Sequence, residues 1–213
     1  SHFENNEDTK AAWKLSMEHR DDVSQLAKTI AQEAISPIII LTLRKWLKHL
    51  LDSQIGIDQL TVVAKCHLNG FLKIPVGNYQ GTRTRIHLWR DQVENNRSHI
   101  HNHTADYTSF VLIGALEENL YEFDLEGSMS FDRISYPSHD DATGRASSLG
   151  RVTIRHVSRV CHGIGDVYSR ESKVLHNLWP QTRLAATLVR FHATTTLWTD
   201  ILMPLAASDF LNN

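Results

Sequence analysis

The chain has 213 residues, 41% of them hydrophobic and 22% charged, with a formal net charge of −2. That is enough apolar material for one large domain, or a domain with a small appendage, and it excludes wholesale disorder. The balanced charge offers nothing to nucleic acid or an anionic membrane, and the longest apolar run, residues 37–41, falls far short of the roughly 20 residues a spanning helix needs.

The first eight residues are polar and acidic, unlike a secretory signal. Two cysteines, Cys66 and Cys161, make neither a disulfide framework nor a close metal-ligand pair, so a reducing cytoplasm is the expected setting. Over 21–34 the apolar positions Val23, Leu26, Ala27, Ile30, Ala31 and Ala34 follow helical spacing. Ser36-Pro37 reads as a cap and a first-turn proline. A second helix is predicted over 37–51, with the stripe Ile39, Ile40, Leu43, Trp46, Leu47 and Leu50 opposite Arg44, Lys45, Lys48 and His49. Packing against the rest of the chain is the plain reading of that stripe; a homodimer or partner surface is the other.

After Gly56 the pattern changes to short β-branched and aromatic segments separated by turn residues. Strands are predicted at 61–67, 71–76, 84–89, 99–103, 108–116, 119–123, 151–157, 166–170, 174–178, 184–192 and 197–202. So many short strands imply a sandwich or jelly-roll barrel. Residues 125–150, rich in Ser, Gly and Asp, read as a long loop with one short strand near 131–136, of the kind that serves as a lid. The organisation expected is a helical segment, 1–56, and a β-barrel, 57–213.

Thirteen histidines are the compositional outlier. In Ser98-His99-Ile100-His101-Asn102-His103 three of them alternate, and alternate residues of a strand share a face. Two imidazoles can then reach one metal ion from a rigid backbone. Isolated His49, His67, His139, His156 and His162 read as surface or core residues, and Trp46, Trp89, Trp179 and Trp198 as core rather than a stacking platform.

The stretch resembles the first motif of the cupin superfamily: a His-x-His pair, a short gap, a fourth ligand that is often Glu, then six residues and Gly. Counting back from Gly114 puts the fourth place at Tyr107 and the pair at His101 and His103. The acidic ligand is missing; adjacent Asp106 has the wrong parity unless a bulge intervenes. The second motif runs from Gly165-Asp166 to His176, with Glu171 and Lys173 where Pro and Gly are usual. The resemblance implies a double-stranded β-helix with a three-histidine metal site at His101, His103 and His176. His99 is expected beside that set or at its rim.

A narrower resemblance, over 84–192, is to cysteine dioxygenase and related thiol dioxygenases, a cupin branch that binds Fe(II) with three histidines and no carboxylate. Leu188-Val189-Arg190-Phe191-His192 is similar to a late strand of that family, Arg190 falling on its pocket His and His192 on its Tyr. Tyr107 and Thr108 stand near its thioether-forming Cys, so no such cross-link forms here. The resemblance implies an Fe(II)-dependent dioxygenase acting on a small thiol- or carboxylate-bearing molecule. Candidate proton-handling groups are Tyr107, Tyr168 and His192. Candidate substrate-binding groups are Arg83, Arg85 and Arg190, whose planar forks suit a carboxylate, and His87. Imidazole also suits Zn, Mn, Ni or Cu. A cupin isomerase, decarboxylase or lyase, or a non-catalytic small-molecule-binding barrel, therefore stays open. Nothing reads as a DNA-binding helix pair.

Overall fold

Period-two alternation beyond residue 65 resolves into strands wherever the chain is described. The computed structural model describes residues 40–41, 43–45, 47–48, 52, 65–67, 69–79, 82–90, 98–137, 146–194 and 196–205. Twelve strands occur among them: β1 (Lys65–Cys66), β2 (Leu72–Tyr79), β3 (Thr82–Arg90), β4 (Ile100–His101), β5 (Tyr107–Ile113), β6 (Leu116–Phe123), β7 (Met129–Pro137), β8 (Ser147–His162), β9 (Val167–Arg170), β10 (Leu175–Pro180), β11 (Leu184–Phe191) and β12 (Trp198–Pro204). They form two antiparallel sheets. One is open, in the order β1-β2-β3-β11-β5-β9; the other closes on itself as β10-β4-β12-β7-β8-β6. The mainly β, double-sheet architecture expected from the sequence is what the chain adopts.

Each face of the open sheet has its own partner. Ile74, Ile86, Leu88, Phe110, Leu112, Ala186 and Leu188 form one buried cluster with Leu43 and Leu47 from the helical residues 43–45 and 47–48. Leu43 and Leu47 are four apart, so both fall on one helix face, and both are fully buried. Burying each contributes about 1.5–3 kcal/mol. The opposite face supplies Trp89 and Ala185 to a second cluster with Leu116 and Leu178 of the closed sheet. The closed sheet holds a further core of Ile100, Ile154, Leu175 and Leu202. The strands β4 and β10 thus separate two environments: Ile100 and Leu175 face the closed sheet's own core, and His101 and His176 face the open sheet.

Two expectations are corrected. Residues 125–150 are not a long loop: β7 and β8 pair as a hairpin from Met129↔Ile154 to Ser135↔Ser147, with β7 also bonded to β12. Serine and glycine masked the alternation there, although Phe131, Ile134 and Tyr136 are of strand-forming type. The histidine strand is also shorter than predicted. Only Ile100 and His101 are in β4. The expected helix over 21–34, the stripe positions Ile39, Trp46 and Leu50, and His49 and His139 lie outside the described residues. No described helix is long and apolar enough to cross a membrane.

Candidate metal centre

His101 and His176 meet because β4 and β10 are antiparallel neighbours with these two residues directly opposed. Cross-strand partners share a face, so both rings project into the space between the sheets. His103 lies beyond the end of β4. Its backbone N–H donates to Ser172 O at 2.8 Å, and Ser172 N–H in turn donates to Asp106 Oδ1 at 2.7 Å. This is the part Asp106 plays: it faces away from the rings and ties down the turn that carries His176. That turn, built without Pro or Gly, closes through Val174 N–H to Glu171 O at 3.2 Å.

The ligand atoms of His101, His103 and His176 all lie within 4.8 Å of one another. The Nε2 atoms of His103 and His176 are 2.8 Å apart. Two protonated nitrogens do not approach so closely, so at least one presents a lone pair inward. Burial, with the neighbouring His176 adding to it, pushes the His101 imidazole down to about 3. Burial likewise holds His103 well below its ordinary value, with the nearby His101 and His176 acting in the same direction. Both rings are therefore neutral, which is the state that binds a metal.

The second nitrogens decide which lone pairs point inward. His101 Nδ1 is 2.8 Å from the backbone carbonyl of His99. A carbonyl only accepts, so Nδ1 carries the proton and Nε2 is left bare. His176 Nδ1 donates to Glu118 Oε1 at 2.8 Å, with the same result. A carboxylate behind a ligating imidazole fixes tautomer and ring orientation and raises ligand basicity. Glu118 is itself fully buried and also accepts from His162 Nε2 at 2.8 Å and from the Arg170 guanidinium. Burial alone would raise its carboxyl pKa; the bonds from His162, His176 and Arg170 outweigh burial and hold it well below the usual carboxylate range. Two imidazole nitrogens with prepared lone pairs, and His103 Nε2 beside them, fit a divalent first-row metal ion.

A cavity opens in front of the three rings. Tyr107, Tyr168 and His87 line it, together with Phe71, Trp89, Leu178, Val189 and Phe191. Tyr107 stands beside His176: its hydroxyl is 3.4 Å from His176 Nδ1, and burial raises its pKa well above that of a free phenol. Tyr168 stacks on His162 with ring centres 3.9 Å apart, and burial raises its pKa too. His87 stacks on Phe71 at 4.3 Å and is held neutral, burial being the main cause. Two lining groups, Trp89 Nε1 and Thr187 Oγ1, are buried without a hydrogen-bond partner among the described residues. Leaving such a group unpaired costs about 1–3 kcal/mol.

The arginine candidates divide by strand parity. Arg83 and Arg85 share a face of β3 with His87, and their guanidinium carbons sit 5.7 and 5.4 Å from the centre of the Phe191 ring. They stand beside the cavity, behind one of its aromatic walls. Arg190 and His192 are not brought to it. On β11 the lining residues are Thr187, Val189 and Phe191, so Arg190 falls on the other face with Ala186 and Leu188. His192 lies past the end of β11, its Nε2 3.3 Å from Thr108 Oγ1. Thr108 is the residue paired with Arg190 across the sheet. The two do share a face, as the sequence reading supposed, but it is the one away from the histidines.

Glu118, Arg170 and His162 were not singled out by the sequence reading, and Trp89 was read as plain core. One signal was available. Glu118 falls between the predicted strands 108–116 and 119–123, and continuing the alternation from Leu116 through that gap puts it on the buried face, where an acid requires cationic partners.

No known protein-family model matches the sequence, and no curated protein matches it. Solved structures offer weak likenesses. One is a hydroquinone 1,2-dioxygenase in complex with Cd2+ and 4-hydroxybenzonitrile (13% identity, 56% of this chain and 62% of that one, TM-score 0.36). Another is the hydroquinone 1,2-dioxygenase from Sphingomonas sp. TTNP3 with 4-hydroxybenzoate bound (15% identity, 59% and 68%, TM-score 0.38). A third is a cupin superfamily protein from Desulfitobacterium hafniense (9% identity, 63% and 86%, TM-score 0.36). This chain spans less than two thirds of the first of these. Likenesses of this size carry no argument about substrate or reaction, which must come from the residues themselves.

Proposed function

We propose that this chain is a metal-dependent oxidoreductase of cupin type, in which His101, His103 and His176 hold a divalent ion, Fe(II) foremost, and a small thiol- or carboxylate-bearing substrate reacts with dioxygen in the adjoining cavity. The observation that carries the reading is the convergence of three imidazoles on one wall of a mainly apolar cavity, two of them with their tautomers fixed from behind. When bound, the ion supplies oxygen activation and a positive charge that favours thiolate or carboxylate.

The chain's own residues account for the remaining requirements. Phe71, Leu178, Val189 and Phe191 exclude water from the space in front of the rings. Glu118 holds His176 in orientation and tautomer; the His99 carbonyl does the same for His101. Tyr107 keeps its proton and is placed to donate a hydrogen bond from Oη. Arg83 and Arg85 set positive charge behind Phe191, a field that draws an anionic substrate to this side of the molecule.

The test is metal analysis of protein purified without chelator, followed by anaerobic Fe(II) loading and oxygen-uptake measurements with small thiol carboxylates. Stoichiometric iron with thiol-dependent uptake is the expected result. Bound iron without uptake across the panel counts against the reaction. Tightly held Zn, Mn or Ni in an oxygen-inert protein would favour an isomerase, decarboxylase or lyase on the same ligands.

A further inference from the structure

Trp89 Nε1 and Thr187 Oγ1 have no role in holding the cavity together. Both side chains are more than nine-tenths buried, both line the cavity, and neither polar atom has a partner among the described residues. They project from adjacent strands. In the β3–β11 ladder Trp89 is paired with Ala185 and Thr187 with His87, so the two are diagonal neighbours on one face. An indole N–H can only donate, and a threonine hydroxyl can donate as well. Ser98, another lining residue, differs: its Oγ already accepts from Leu178 N–H at 2.7 Å.

The charge around this pair narrows what it can receive. Among the described residues, the lining includes no lysine, arginine, aspartate or glutamate. Two arginines of β3, Arg83 and Arg85, lie against Phe191 rather than in the cavity. Phe71 packs beside Trp89, with ring centres 5.1 Å apart, and Leu178 lies in the same apolar cluster. A carboxylate here would be stripped of water with only neutral donors to replace it, which is unfavourable. A neutral acceptor oxygen loses much less on entry.

We infer that Trp89 and Thr187 form a two-donor subsite for a neutral oxygen (ketone, hydroxyl or ether) at the end of the substrate that does not meet the histidines. The substrate class is then a small, mainly apolar molecule, its thiol or acid at the metal wall and an uncharged acceptor at the far wall. This rests on the cavity being the substrate site of the proposed oxidoreductase.

Three shape-matched probes test the subsite without turnover: acetophenone, ethylbenzene and benzoate, titrated into metal-free protein and followed by ligand-observed NMR. The wild type should bind acetophenone about tenfold more tightly than ethylbenzene or benzoate. In Thr187→Val and Trp89→Phe the preference over ethylbenzene should shrink, and in the double variant it should fall to within about twofold. Thr187→Val, which removes a buried unpaired hydroxyl while keeping the shape, should also raise Tm in the absence of probe. Tighter binding of benzoate, no binding of acetophenone, or a preference that survives in both single variants overturns the subsite. Metal uptake is measured separately: loss of the probe preference in a protein that takes up stoichiometric metal sinks the subsite alone, whereas a wild type that keeps the preference but takes up no metal sinks the oxidoreductase reading alone.

Discussion

At the residue scale, the site rests on what stands behind the ligands. His176→Ala should abolish stoichiometric metal while leaving the circular dichroism spectrum intact, because β10 keeps its pairing through Leu175 and Leu178. Retained metal in that variant would show that the third ligand lies elsewhere. Glu118→Gln separates orientation from ligation. It keeps the shape and an acceptor oxygen but removes the charge that fixes His176, and it should weaken metal affinity by about 10–100-fold. An unchanged metal dissociation constant would reduce Glu118 to a structural acid paired with Arg170 and His162. His101, His103 and His176 were legible in the sequence because ligand spacing is local and chemically rare. Glu118, Trp89 and Thr187 were not. Their importance lies in partners gained or missing across the fold, and composition does not reveal those.

At the element scale, parity decided more than propensity did. Strand existence was readable through most of the chain because β-branched and aromatic runs are dense, yet which face met the metal was not. One inversion on β11 sent Arg190 and His192 outward and brought Thr187, Val189 and Phe191 inward. The sequence around Arg190 alternates a cationic residue with apolar ones on both sides, a pattern consistent with either assignment. The β5–β6 turn shows the reverse case, where a single residue is diagnostic. Gly114 has φ of 71°, and a Cβ there would run into the Leu184 backbone carbonyl and Thr182 Oγ1. No side chain fits without moving backbone. Gly114→Ala should cost at least about 2 kcal/mol, read as a lowered denaturation midpoint. A neutral result would mean the turn relaxes freely and does not fix the spacing from Tyr107 to the following strand.

At the scale of the whole molecule, helix, open sheet and closed sheet are joined through successive buried layers. Leu43 and Leu47 reach the same cluster as Ile86 and Leu188, so this helix face packs into the open sheet's core. Leu47→Ala should destabilise by about 2–5 kcal/mol, measured by chemical denaturation. Removing residues 1–56 should do at least as much; a truncated chain as stable as the full one would restore a separable helical segment. Burial also sets an acid limit. His67 is pushed down to about 4, mainly by burial and then by Lys73 and Arg85, and His87 lies well below its usual range. The unfolded chain protonates both near pH 6.5. Their contribution is therefore complete above about pH 6.5 and is lost as pH falls toward about 4, where His67 titrates in the native state; His87 continues below that. The metal-free protein should lose stability steadily over that window, and His87→Phe should flatten the slope. A stability flat from neutral pH to 4 would mean these rings are open to water.

The two sheets differ in one further respect. A ladder that joins its own ends presents no unpaired rim, whereas the open one, among the described residues, terminates at Lys65–Cys66 and at Val167–Arg170. Among the described residues, the strand edges open to addition of another chain are those of the open sheet. At the second rim the newcomer would lie alongside Tyr168, so assembly there would be felt directly by whatever occupies the space in front of the histidines.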